Sequence, residues 1–220
     1  MTAAHAVPRM DQHLMPDWAH AALVTIDVQQ DYAREGAPLN APGASAALPG
    51  IERLTRAFRD AGMPIVHVVR LYQETDEVDL PRRALVTGDT PVLRPGTEGA
   101  DLVAEVKPSG AIRLDAERLM NGCFQTIGPN EWVMYKPRWG AFYRTRLEHH
   151  LKDLGVNTIV LCGSSFANGT RATVYQASER DFRIVLATDA VTGFYDQGGA
   201  ELAQIGVALM SADACAACLG

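Results

Sequence analysis

Three apolar runs in this chain end on groups that could do chemistry. The run Ala21–Val28, AALVTIDV, holds a carboxylate, Asp27, in an otherwise apolar and β-branched segment, where an unpaired charge is costly to bury. The run Glu131–Lys136, EWVMYK, ends on a cation directly before Pro137, so the backbone has to turn at Lys136. The run Asn157–Cys162, NTIVLC, continues into Gly163-Ser164-Ser165-Phe166-Ala167-Asn168-Gly169, a turn of small residues that leads into a helical pattern. A carboxylate beside an ammonium can move a proton and balance a developing charge. Backbone N–H groups exposed at a helix start can hold an anion or a nascent oxyanion. Singly, each feature has an ordinary structural account: a loop-capping acid, a surface turn, a strand-to-helix connection. Together they gain weight, because all three fall on the same edge of the sheet the sequence predicts.

The elements that would position these groups alternate in type. Buried strands are expected over 21–28, 64–70, 131–136, 157–162 and 182–187, each short, apolar and β-branched. Helices are expected over 51–61, closed by Gly62, over 144–154, closed by Gly155, and over about 168–180 and 197–205. Strands alternating with helices specify a parallel sheet with helices on both faces, and such sheets bind ligands beyond the carboxyl ends of their strands. Residues 1–19 read as a loosely packed N-terminal arm, and 33–49 as a Gly/Pro/Ala-rich loop. The stretch 71–130, rich in charge and proline, reads as a lid-like insertion within a single domain spanning 20–220.

Bulk properties narrow the field. A length of 220 residues with 47% hydrophobic and 21% charged residues supports one large core. The formal charge of −6, without a basic cluster, excludes a nucleic-acid footprint. No apolar run reaches the ~18 residues needed to cross a bilayer, and no secretion signal is visible, so a cytoplasmic protein without membrane partners is expected. Cys215 and Cys218 form a CxxC without a second pair, which reads as a turn of a terminal helix. His149 and His150 fall on a polar stretch that reads as a solvated helix face. No GxGxxG or GxxxxGK[ST] fingerprint is present.

The segments TIDVQQDY at 25–32, YKPRWGAFYRT at 135–145 and VLCGSSFANGTRATVYQASERDFRIVLATDAVTG at 160–193 closely resemble the isochorismatase-like hydrolases, a group that includes many cysteine amidohydrolases. The resemblance covers nearly the whole chain beyond residue 20 and takes in PGTEGADL at 95–102. It implies a three-layer αβα fold with a six-stranded, mostly parallel sheet, a small-molecule substrate, no cofactor and a homo-oligomer. It also implies catalytic roles for Asp27 and Lys136, oxyanion contacts from the N–H groups of Ser165 and Gly169, and a non-proline cis peptide between Ser164 and Ser165.

Gly169 stands where most members of that group carry a cysteine nucleophile, whose thiolate forms an acyl-enzyme. Relatives with the cysteine read GCNFPNCPR in this turn, whereas this chain reads GSSFANGTR. Three readings stay open. In the first, water is the nucleophile, as in the isochorismatases proper, with Asp27 as acid or base and Lys136 holding charge. In the second, the chain is a thiol amidohydrolase whose nucleophile has been lost. In the third, it binds a small molecule without turnover, although retention of Asp27 and Lys136 weighs against that. Ser164, Ser165 and Thr170 are weaker stand-in nucleophiles, since each needs a base within ~3 Å. Candidate substrate contacts are Arg70, Gln73, Trp139, Phe142 and Ser164, with Tyr72 and Arg82 or Arg83 nearby. Arg171 is expected to pair with an acid. No Asp-x-His cluster is present, and no metal is expected.

Overall fold

The computed structural model describes residues 11–40, 42–73, 78–88 and 92–220. Seven strands form one sheet: β1 (Ala21–Ile26), β2 (Ile65–Val69), β3 (Gln125–Gly128), β4 (Glu131–Tyr135), β5 (Thr158–Gly163), β6 (Arg183–Val191) and β7 (Ala208–Met210), in the order β3-β4-β2-β1-β5-β6-β7. Every pairing is parallel except β3 with β4. The count of six that the resemblance implies is corrected to seven, two more than the five strands read from the apolar runs. The strands the sequence reading missed are the two edges, QTIG and ALM, which are too short to show a period. β3 also lies inside 71–130, so that stretch is not wholly irregular. It further carries the short helices Arg83–Thr87 and Ala116–Met120.

β1 shows how the layers form. All six of its residues are fully buried, and alternate side chains enter opposite cores. Ala21 and Leu23 pack with Ile51, Leu54 and Phe58 of the helix Ala44–Asp60 and with Cys215 of the helix Ala212–Ala217. Ala22, Val24 and Ile26 pack with Leu147, Leu151, Val174, Ala177 and Leu202, from the helices Leu147–Asp153, Arg171–Ser178 and Asp196–Ala203. The result is the expected three-layer αβα sandwich.

The helix Ala44–Asp60 begins seven residues before the expected start and contains Pro49. Its buried Ala44, Ala47, Ile51, Leu54 and Phe58 keep helical spacing through the proline, so burial of that stripe outweighs the lost backbone bond. Beneath it a buried polar chain crosses the sheet: Thr25 Oγ1 to His67 Nδ1 at 2.9 Å, His67 Nε2 to Glu131 Oε1 at 2.8 Å, and Arg59 onto both oxygens of Glu131. These partners satisfy groups that would otherwise be costly in the core.

Of the expected arm, residues 1–10 lie outside the described residues. The part that follows is tied down, since the Asp17 N–H donates to Thr158 Oγ1 at 3.0 Å and Asn157 donates to the Asp17 carboxylate at 2.9 Å. No helix among the described residues is long and apolar enough to cross a membrane.

Candidate active site

After β1 the chain turns toward β2 and β4, and β5 begins the opposite wing, so the gap between β1 and β5 is the sheet's switch point. Asp27 stands there. Its φ of 52° lies in the left-handed region, which Asp tolerates better than most residues, and its N–H still donates to Val68 O at 2.9 Å. Lys136 follows β4, held by its N–H to Val69 O at 3.0 Å. Lys136 Nζ donates to Asp27 Oδ2 at 2.8 Å and to Trp139 O at 3.0 Å. Both residues are buried, and burial pushes the lysine down to about 8, against the opposing pull of the Asp27 charge.

The turn after β5 completes this edge. Gly163, at φ 115°, pairs with Ile26, and a Cβ there would stand 2.2 Å from Ile26 O; only glycine fits so close a backbone approach. Ser164 N–H donates to Ile26 O at 2.7 Å, and the Ser164–Ser165 peptide is cis. An α-helix from Asn168 was expected. Instead Phe166–Thr170 forms a π-helical turn, with Thr170 N–H reaching back to Ser165 O at 3.3 Å, and the α-helix runs from Arg171 to Ser178. Such wide turns recur at functional sites. A Cβ on Gly169 would lie 3.1 Å from Lys136 Nζ, 3.3 Å from Asp27 Oδ2 and 3.1 Å from Ile26 Cγ2. Residue 169 therefore faces the ion pair directly.

A second charged layer lies beside the first. Arg70, fully buried, donates to Asp79 Oδ2 at 2.7 Å and to Pro137 O at 3.3 Å. The Trp139 ring is flanked by the guanidiniums of Arg70 and Arg82, at 5.0 and 5.1 Å. Burial pushes the phenols of Tyr32 and Tyr72 up, so both remain protonated donors. Four buried polar atoms in this neighbourhood have no hydrogen-bond partner: Asp27 Oδ1, Arg70 Nε, Tyr72 Oη and Arg82 Nε. Buried polar groups are ordinarily paired, so four unpartnered atoms side by side set this neighbourhood apart from the rest of the core.

The structure thus brings together Asp27, Lys136, Gly169, Ser164, Ser165, Arg70 and Trp139. It does not bring Phe142, whose ring packs on Phe182 and under Arg180 in the core. Gln73 and Arg83 are exposed, whereas Arg82 faces Tyr32 and Trp139. Arg171 pairs with Glu201, as expected. His149 is exposed, but His150 is half buried, stacked on Phe124 and edge-on to Trp132, which corrects the solvated reading for that residue. Sequence reading missed Asp79 and Gln29; the Gln29 amide clips Arg70 O and Ala100 O at 2.7 and 2.6 Å. A cavity of about 540 Å³ lined by Gln30, Leu71, Asp101, Lys107 and Arg113 lies apart, with neither Asp27 nor Lys136 in its wall. Among the described residues no cluster of three or more His, Cys, Asp or Glu could hold a metal.

A family model described as the isochorismatase domain matches residues 21–127 and 122–214. The chain is 29% identical over 177 residues to an Arabidopsis thaliana protein named a probable inactive nicotinamidase, covering 79% of this chain and 81% of that one. It is 30% identical over 172 residues to the maleamate amidohydrolase of Pseudomonas putida, covering 77% and 71%. The solved structure of an isochorismatase family protein from Desulfovibrio vulgaris superimposes with a TM-score of 0.74 at 26% identity, over 89% of this chain and 95% of that one.

Proposed function

The chain belongs to the isochorismatase family, and from that premise we propose that it is a cofactor-independent hydrolase of a small anionic molecule, using water rather than a protein thiol as nucleophile. The observation that carries this reading is the position of Gly169: the direction a side chain would take points at Asp27 Oδ2 and Lys136 Nζ, 3.3 and 3.1 Å from a Cβ. With glycine there, no side chain stands between the backbone of residue 169 and the ion pair.

In the proposed reaction, Asp27 takes a proton from water as the oxygen adds to the electrophilic carbon of the substrate. The same carboxyl then returns that proton to the leaving group as the scissile bond breaks. Lys136 holds Asp27 in place through its hydrogen bond to Oδ2 and balances the charge that develops. The N–H groups of Ser165 and Gly169 are assigned to the oxyanion. Arg70 and Arg82, each with an unpartnered Nε, and the Tyr72 hydroxyl supply donors for an anionic group against the face of Trp139. Maleamate, named for the Pseudomonas relative, is an anion of this kind.

The second reading, a thiol amidohydrolase that has lost its nucleophile, is favoured by the relative named as probably inactive. A screen of carboxylate-bearing amides and enol ethers separates the two. Turnover by the unmodified protein that falls at least about a thousandfold in Asp27→Asn supports water attack. Turnover that appears only in Gly169→Cys, with an acyl adduct visible by mass spectrometry, supports the disarmed amidohydrolase.

A further inference from the structure

Asp79 lies outside every motif that led to the site, yet its carboxylate touches two of the segments that build it. It follows Val78 and precedes the 3-10 turn Leu80–Arg82, whose Arg82 N–H donates to Asp79 O at 2.7 Å. Asp79 Oδ2 accepts from Arg70 Nη2 at 2.7 Å, and Oδ1 accepts from the Trp139 N–H at 3.2 Å. Arg70 in turn donates to Pro137 O at 3.3 Å, and Trp139 O accepts from Lys136 Nζ at 3.0 Å. The carboxylate thus fastens the Pro137–Trp139 loop from both sides, and that loop supplies the backbone oxygen that accepts from the Lys136 ammonium beside Asp27.

From this geometry we infer that Asp79 is the positioning residue of the site: it sets the place of the Lys136 ammonium through Trp139 and Arg70 without touching the reacting atoms. Two alternatives fit less well. A plain counter-ion for Arg70 does not need the second bond to the Trp139 backbone, and a plain loop anchor does not need a carboxylate buried against a fully buried arginine, where removal of one partner leaves an uncompensated charge. The inference concerns the same site as the proposed hydrolase and takes from it only that Lys136 is the working cation, so its test does not use turnover.

The chain contains three lysines, Lys107, Lys136 and Lys152, so 13C-labelled lysine gives a spectrum of three side-chain signals. The groups facing Lys136 are Asp27 from the end of β1, Arg70 from the end of β2, and Asp79. In Asp79→Asn and Asp79→Ala, both checked for native circular dichroism, the Lys136 signal should move and its titration midpoint should fall by about half a pH unit or more, because an opposing charge is lost while Arg70 remains. The fall should be larger for Ala, which also releases the Trp139 N–H. Asp101→Asn, which removes the partner of Lys107, should leave the Lys136 signal where it was. Should the Lys136 signal and midpoint be unchanged in either folded Asp79 variant, the inference is wrong. Asp79→Asn keeps an acceptor for Trp139 and stays readable even where Ala loosens the fold.

Discussion

Lys136 Nζ and Asp27 Oδ2 meet at 2.8 Å in a setting where the lysine is fully buried and the second oxygen of Asp27 has no partner. One oxygen of the carboxylate is therefore committed to the cation, and the other is the one the proposed reaction uses as a base. Removing either member leaves the other charged and buried, so Asp27→Asn should cost about 3–5 kcal/mol of stability as well as activity. Asn accepts the left-handed backbone of residue 27, whereas Asp27→Ala adds a strain of about 1 kcal/mol at φ 52°. Urea unfolding of the two variants should place Ala below Asn.

The pH response follows from the same lysine. Its folded value of about 8 lies below the ordinary 10.5. Between those values the unfolded chain binds a proton that the folded chain does not, so stability contributed by this group rises with pH across the window and is flat below about 8. Activity should run the other way, falling above about pH 8 as the charge that Lys136 supplies is lost. A pH–rate profile set beside unfolding curves at pH 7, 8.5 and 10 checks both signs.

Gly163, which closes β5, and Gly169, in the turn that follows, should respond differently to alanine. At Gly163 a Cβ would meet Ile26 O at 2.2 Å, a backbone atom that cannot step aside, at φ 115°. Gly163→Ala should lose more than about 3 kcal/mol or fail to fold. At Gly169 the contacts are 3.1–3.3 Å and include the end of the Lys136 chain, so Gly169→Ala should fold, with a loss of about 1–2 kcal/mol. Thermal melts of both variants make the comparison.

No thiol should matter to turnover. Burial pushes Cys162 well up and Cys215 up to about 12, while Cys123 and Cys218 are exposed. Iodoacetamide at pH 8 should therefore label Cys123 and Cys218 in the native protein and leave activity unchanged, as read by intact mass and by rate.

Much of the site was legible in the sequence because it is built from strand ends. Asp27, Lys136 and the Gly163–Gly169 turn each close an apolar run, and a parallel sheet brings such ends together wherever the intervening chain goes. Arg70 and Trp139 belong to the same ends. Asp79 was not legible, since it reaches Trp139 across 60 residues from a stretch without a period. Phe142 misled for the opposite reason: an aromatic three residues past Trp139 looks like part of one wall, but its ring packs into the helical layer. The edge strands β3 and β7 were too short to register, and the helix through Pro49 depended on tertiary burial that local propensity argues against.

The central claim, that this site hydrolyses its substrate by water attack with no protein nucleophile, is tested most directly by single-turnover mass spectrometry on a substrate taken from the carboxylate-bearing panel. The account predicts product formation by the unmodified chain with no covalent adduct at any time point, and loss of that product in Asp27→Asn. An acyl adduct on the unmodified chain, or product formed as fast by Asp27→Asn, would contradict it.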